Sequence, residues 1–265
     1  MPRKIISTPI RIVSMAPNVT SILLALGVGR ELVGVSNWCK EVAPVGNRPQ
    51  VGDCWKMDIT QVMRLRPTLL IGSVPFAEKT VAEILKQPSA FLAINPRSLE
   101  NIEADIRTLG RFTYRAAAAE KLVGRMRRTF DAIAKCAKYL RPRPRVYCEA
   151  WPSPRISSPP WVAELVQIAG GEMVVPAGTR VSEEEVAGAM PDVIVLAWTA
   201  TGTRAQPAKA LSNPAWRDVP AVRNRRVLVI SDELLNTPGP PLMKGVQKLF
   251  RALHPEFKSG KARPC

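Results

Sequence analysis

Two segments of this chain are spelled alike. Residues 58–71 read DITQVMRLRPTLLI and residues 182–195 read SEEEVAGAMPDVIV, aligned without a gap at an offset of 124. Val62 matches Val186, Pro67 matches Pro191, and Leu69-Leu70-Ile71 matches Val193-Ile194-Val195. Each copy opens on a short polar residue, Asp58 or Ser182, whose side chain can accept hydrogen bonds from the orphan N–H groups of a first helical turn. Ser182 and Glu185 also have capping-box spacing. Proline then ends each helix, because it has no N–H to donate and pushes the residue before it out of the helical region. The run that follows is apolar without polar alternation, the pattern of a parallel strand covered on both faces. A chain that builds the same cap, helix, proline and strand twice is expected to have two lobes, and two lobes leave a cleft.

The 265 residues suffice for one large domain or two of about 130. Hydrophobic content of 46% supports a real core, and the net charge of +16 is large. No apolar run of ~18 residues exists, so no membrane span is expected. The opening MPRKIISTPIRIVSMAP is basic but lacks the apolar stretch of a secretory signal. The expectation is therefore a cytoplasmic protein, or a leader missing from the sequence. The five cysteines, Cys39, Cys54, Cys136, Cys148 and Cys265, include no CxxC pair, which argues against a zinc site. Mostly buried or free thiols are expected, with Cys39 and Cys54 able to pair in an oxidising compartment. Neither a Ser-His-Asp set, GxSxG, HExxH nor a P-loop is present, so no enzyme and no resident cofactor or metal is expected.

Strand and helix alternate in the first half. RIVSM (11–15) reads as a strand, Asn18 as the cap of a helix from Val19 to Leu26, and LVGVS (32–36) as the next strand. The first repeat copy follows, then a helix near Ala77–Lys86, a strand at 91–95 and a helix capped by Ser98. Phe112, Ala116, Ala119, Leu122, Met126, Phe130, Ile133, Ala137 and Leu140 then recur every three or four residues, one face of a single long helix. RPRPR (141–145) ends it. Alternation resumes with RVYCE, a helix near Trp161–Ala169, MVV, the second repeat copy, RRVLVIS (225–231) and a last helix near Leu242–Leu253. The expected organisation is an α/β lobe over 1–110, a linking helix over 111–141, a second α/β lobe over 142–257 and a disordered tail over 258–265. Between Arg107 and Arg145 there are twelve Lys or Arg and two acids, Glu120 and Asp131. A nucleic-acid or anionic-surface patch is one reading of that charge. A solvated helix face is favoured, because no aromatic residues interleave with the cations.

RIVSMAPNVTSILLALGVGRELVGVS resembles the opening of the periplasmic-binding proteins for cobalamin and ferric siderophores. The resemblance runs on through VGDCWKMDITQVMRLRPTLLIG, LVQIAGGEMVV, PDVIVLAW and PGPPLMKGVQKLFRALHPEF, covering about residues 11–257 and coming nearest to the cobalamin-binding branch. It implies two Rossmann-like lobes joined by a rigid helix, with the ligand between them, and a non-catalytic monomer that captures a metal chelate (cobalamin, a ferric siderophore or heme) for an ABC-type permease. By that likeness the protein is periplasmic or at the cell surface.

Strand ends place the candidate ligand contacts, since a doubly wound sheet presents its crevice at the carboxyl ends of its strands. Trp38 follows LVGVS, Trp151 follows RVYCE and Trp198 follows VIVLA. Phe76 occupies the first-copy counterpart of the Trp198 loop. Trp55 and Trp161 lie in or beside neighbouring loops, and Leu234 follows RRVLVIS together with Asp232, Glu233 and Leu235. Indole faces suit a wide, flat, partly apolar ring. Core packing is the alternative for each, and Trp216 is assigned to it. Arg155, Arg204 and Lys56 are candidates for acidic ligand groups. His254, the only histidine, is expected to pack the last helix. The resemblance also implies an acidic docking residue on each lobe. Glu78 fits in the first. The offset places its partner at Gly202, and no acid occurs between Asp192 and Asp218. Two other readings therefore stand beside import: an intracellular corrinoid- or tetrapyrrole-binding protein without transporter docking, and a basic nucleic-acid-associated protein.

Overall fold

The computed structural model describes residues 9–53 and 55–258, so Cys54 and the tail from 259 onward lie outside it. The chain forms two compact units, Met1–Asn95 with Ala104–Glu120, and Pro96–Glu103 with Lys121–Cys265.

The first unit holds β1 (Ile12–Ser14), α1 (Pro17–Ala25), β2 (Leu32–Val35), α2 (Ile59–Arg64), β3 (Leu69–Ser73), α3 (Glu78–Leu85) and β4 (Ala90–Ile94). Its sheet is parallel throughout, in the order β2-β1-β3-β4. Val13, Met15 and Leu70 pack with Val62 of α2 and Ile84 of α3. On the other face, the Thr20 hydroxyl of α1 donates to Ser14 Oγ at 2.8 Å. With both faces covered, the apolar runs read in the sequence need no polar alternation. Asp58 caps α2, accepting from the Thr60 and Gln61 amides. Asn18 does not cap α1 as expected. Ala16 occupies the cap position, Pro17 opens the helix and Asn18 is buried inside it. Proline's fixed φ suits the first helical position, and it draws the start two residues earlier.

α4 (Leu99–Phe112) and α5 (Ala116–Ala137) follow, and each has residues in both units. The single long helix expected from Phe112 to Leu140 is therefore shorter. Phe112 closes α4 and is exposed, and Tyr114 turns the chain with φ 56°. The periodicity missed this break because α4 and α5 bury faces of the same spacing. Gly110 lies where the two helices meet, and a Cβ there would come within 2.5 Å of Ala119 Cβ. Between Ala119 and Ala137 the expected face buries Leu122, Met126, Phe130 and Ala137, with Ile133 partly buried, and Leu140 lies beyond the helix end.

The second unit holds β5 (Arg145–Pro152), β6 (Arg155–Ser157), α6 (Pro160–Ile168), β7 (Glu172–Met173), α7 (Glu183–Gly188), β8 (Val193–Leu196), α8 (Pro207–Leu211), α9 (Pro220–Arg223), β9 (Val227–Val229) and α10 (Leu242–Leu253). β8 and β9 follow β5 in parallel order. The other edge of β5 is shared: β7 pairs in parallel with Arg145 and Val146, and β6 pairs antiparallel from Glu149 to Pro152. Ignoring β6, the order β7-β5-β8-β9 repeats that of the first sheet, a doubly wound arrangement. The two repeat copies are its α2-β3 and α7-β8 units, and Ser182 forms the full capping box with Glu185. Tyr147, Ile194, Leu196 and Val227 pack with Val186, Ala210, Trp216 and Val222 on one face. On the other, Val146 meets Val166 of α6 and Leu253 of α10 so closely at Gly171 that a Cβ there would lie 2.8–3.0 Å from all three.

Candidate functional site

The carboxyl ends of the strands form a rim on each unit. In the first unit the rim is built around Asp53. Val35 bridges to Gln50, and Gly52 bridges to Met57, closing a tight turn. Gly52 adopts φ 85°, and a Cβ on it would lie 2.2 Å from the Lys56 carbonyl oxygen, so only glycine fits. Asp53 Oδ1 accepts from the Trp55 and Lys56 amides, both at 2.9 Å. Its Oδ2 accepts from Trp38 Nε1 at 3.0 Å. Burial alone would raise the Asp53 pKa, but these hydrogen bonds outweigh it and hold the carboxyl below its usual range. The carboxylate thus fixes the Trp38 indole at one edge and the backbone of Trp55. Next to Trp38 in the chain, the Cys39 thiol lies 3.0 Å from Thr20 Oγ1 and 3.1 Å from Ser36 Oγ. Burial pushes this thiol's pKa up. Cys39 is free, as is the buried Cys148, so the pairing of Cys39 with Cys54 is not formed.

The second rim is organised by a buried acid. Glu149 accepts from Tyr147 Oη at 2.9 Å and from Trp198 Nε1 at 2.8 Å, and it pairs with Arg155. Arg155 reaches on to Glu183 at 3.0 Å and stacks 4.5 Å from the Trp216 ring centroid. Charge-assisted bonds of this kind satisfy the carboxylate that burial would otherwise penalise. Burial and the Glu149 charge together push the Tyr147 hydroxyl far above its ordinary pKa, so it serves as a donor. Asp232 closes the rim, accepting from the Ala200 and Gly202 amides, both at 2.9 Å. Burial raises its pKa despite these bonds.

The candidate residues divide by exposure. Trp38 (45%), Trp55 (57%) and Trp151 (40%) present their rings to solvent, whereas Trp161 and Trp198 are each 8% exposed. Trp151 Nε1 donates to the Ser153 carbonyl, and Trp161 Nε1 donates to the Leu235 carbonyl, both at 2.8 Å. Phe76 packs edge-on against Phe91 and over Gly72, where a Cβ would lie 2.4 Å from its ring. Leu234 is buried. Trp216 packs in the core as assigned, with its Nε1 donating to the Glu183 carbonyl at 3.0 Å. Of the three candidate cations, Arg155 is committed to Glu149, and Arg204 donates to the Thr201 and Ala200 carbonyls. Lys56 stays exposed beside Trp55 in a shallow pocket with Met57, Ile59, Lys79, Thr80 and Glu83. His254 packs at the end of α10, its Nε2 2.9 Å from the Ala169 carbonyl oxygen. Asp53, Tyr147 and Glu149 were not singled out from the sequence. Glu149 sits within the apolar run VYCEAW, where a lone acid between hydrophobic residues signals a buried partner.

A family model described as periplasmic binding protein matches residues 12–234. The chain belongs to the periplasmic binding protein family. An "Uncharacterized ABC transporter substrate-binding lipoprotein YvrC" of Bacillus subtilis is 25% identical, over 94% of this chain and 81% of its own length. A "Vitamin B12-binding protein" of Pectobacterium carotovorum is 23% identical, over 96% and 92%. Among solved structures, a periplasmic heme binding protein from Pseudomonas aeruginosa superposes with a TM-score of 0.81 at 25% identity, over 97% of this chain and 95% of that one. Membership of the periplasmic binding protein family makes this a non-catalytic solute-binding protein of the ABC-import kind. The heme binding protein is named as periplasmic and YvrC as a lipoprotein, and neither name supports the cytoplasmic expectation. No helix among the described residues is long and apolar enough to cross a membrane.

Proposed function

We propose that the protein captures cobalamin, or failing that a related metal chelate, for ATP-driven import, and that Trp38, Trp55 and Trp151 supply the faces that hold it. The observation that carries this reading is the state of the exposed indoles. Trp38 and Trp151 spend their N–H groups on the protein's own acceptors, and Trp55 is fixed through its backbone to Asp53. Their ring faces remain uncovered, and a rigid ring offers large contact area at low entropy cost. Trp161, Trp198, Phe76 and Leu234 act behind them as support. The chain's only histidine is buried against Ala169, and Tyr147 is fully buried on Glu149. Tyr114 and Tyr139 lie at the two ends of α5, away from the strand ends. An iron needing an axial His or Tyr finds no exposed one at either rim among the described residues, which favours a chelate whose metal is already fully coordinated.

Docking on a permease is the second part of the proposal. Glu78 is exposed at the first residue of α3. The topological counterpart of that position is Pro207, at the start of α8, whose first turn has no acid and whose last has Lys209. Docking through a pair of acids is therefore one-sided, and Glu78→Ala is expected to remove the acidic contribution outright.

The test is a titration of the full chain with cyanocobalamin, hemin and a ferric siderophore, read by tryptophan fluorescence and ligand absorption. Saturable quenching by cyanocobalamin is expected. Saturation by hemin or the siderophore with cyanocobalamin silent would reassign the cargo, and silence from all three would overturn the reading.

A further inference from the structure

We infer that one face of α5 is an electrostatic docking surface for an anionic lipid bilayer. Lys121, Arg125, Arg128 and Lys135 follow one another at intervals of four, three and seven residues. At about 100° per residue these spacings keep all four within roughly 40° of a single line along the helix. All four are exposed and lie in the second unit. None has an ion-pair partner among the described residues, whereas the neighbouring Arg107, Arg115 and Arg127 pair with Glu120, Glu31 and Glu103. The helix thus separates its cations into an engaged set and a stripe aimed at solvent.

The residues between the cations define the partner. Gly124 and Ala132 lie on the same side, so no bulky apolar group stands above the charges. Such a face approaches a plane closely without inserting into it. From Lys121 to Lys135 the stripe spans about 20 Å at 1.5 Å per residue. A straight row of that length meets a flat array of lipid phosphates along its whole extent. Nucleic acid suits it less, since no aromatic side chain interrupts the stripe to stack on bases. Asp131 is the one acid between Lys121 and Lys135, and Glu120 just before them pairs with Arg107. Asp131 lies roughly 80° off the line, beside Lys135, Lys138 and Arg143 around a shallow depression. The net charge of +16 extends the attraction beyond the stripe. The inference is independent of the cargo.

The experiment is co-sedimentation of the full chain with phosphatidylcholine vesicles, with and without phosphatidylglycerol. The variant K121Q/R125Q/R128Q/K135Q is compared with K209Q/R223Q/K244Q/K248Q, which removes equal charge from other exposed positions of the same unit. Wild-type binding should require phosphatidylglycerol and fall with salt, since each cation near an anionic surface contributes of the order of fivefold in partition. The stripe variant should lose at least ~10-fold and the control variant far less. Should the fourfold variant not fold, R125Q/R128Q is expected to show an intermediate loss. Equal losses in the stripe and control variants, no vesicle binding by the wild type, or tighter binding to duplex DNA than to the vesicles at the same salt would each overturn the inference.

Discussion

The two rims sit on sheets of the same strand order, yet they are built by opposite means. In the first unit, Asp53 lies at the surface and holds Trp38 and Trp55 from outside, so the indoles remain open. In the second, Glu149 is 1% exposed and draws Tyr147, Trp198 and Arg155 inward, leaving Trp151 as the open ring. One acid displays aromatic residues, and the other stiffens the structure beneath them. The contrast teaches that duplication of a fold does not duplicate a site. The strand ends are equivalent, and the charge placed there decides whether the rim presents contacts or braces them.

The largest expected effect tests the bracing role. Glu149→Ala strands Arg155 with Glu183 alone and leaves the Trp198 and Tyr147 donors without an acceptor. Breaking a buried ion pair from one side costs about 3–5 kcal/mol. Asp53→Ala removes hydrogen bonds from an exposed turn and should cost about 1 kcal/mol. Urea unfolding of both variants measures the difference. Equal costs would show that the two rims are built alike after all.

Much of the fold was legible because its signals are local. The caps at Asp58 and Ser182, the stops at Pro67 and Pro191, and the apolar strands β3 and β8 each follow from a few adjacent residues. The break at Tyr114 was not legible, because a positive φ at an ordinary residue leaves no mark on hydrophobic periodicity. The β6 edge was hidden for another reason: Arg155-Ile156-Ser157 is too short and polar to read as a strand until β5 is present to pair with it. Tryptophans were found at strand ends, but their exposure was not, since it depends on distant carbonyls and carboxylates. Trp161 is held by the Leu235 carbonyl, 74 residues away along the chain.

The next effect concerns display. Trp38→Ala and Trp151→Ala are each expected to weaken cyanocobalamin binding ~10-fold or more, as for an aromatic contact at the centre of an interface. Their melting temperatures should change little, because the rings are exposed. Trp198→Ala should do the reverse, lowering stability by about 3–5 kcal/mol as a buried aromatic. Isothermal titration and thermal melts of the three variants separate the roles. A Trp38→Ala variant with unchanged affinity would remove the first rim from the site.

α4 shows the same contrast on a smaller scale. Glu103 is paired with Arg127, whereas Asp105 Oδ2 is buried without a partner. Burial raises the Asp105 pKa from 3.8 to about 6. The folded state therefore binds a proton that the unfolded chain releases, and stability falls as pH rises from about 4 to about 6. The full shift corresponds to roughly 3 kcal/mol, and solvent at this partly exposed residue should reduce it to about 1–2 kcal/mol. Asp105→Asn should flatten that part of the stability curve and raise stability at pH 7. An unchanged pH dependence would mean that water satisfies the carboxylate.

The smallest effect returns to the repeated segments. Asp58 accepts from the Thr60 and Gln61 amides at 2.9 and 3.2 Å but receives nothing back. Ser182 accepts from the Glu185 amide at 3.1 Å while Glu185 Oε2 accepts from the Ser182 amide, so its cap is reciprocal. Losing a cap costs about 1 kcal/mol. Ser182→Ala breaks one arm of the box and leaves the Glu185 arm in place, whereas Asp58→Ala removes the whole cap. Asp58→Ala should therefore cost about 1 kcal/mol, Ser182→Ala about half that, and Ser182→Ala with Glu185→Ala together about the full amount. Urea midpoints of the three variants decide it. If Ser182→Ala alone matched Asp58→Ala, the second arm would contribute nothing, and the two copies would be capped with equal strength despite their different chemistry.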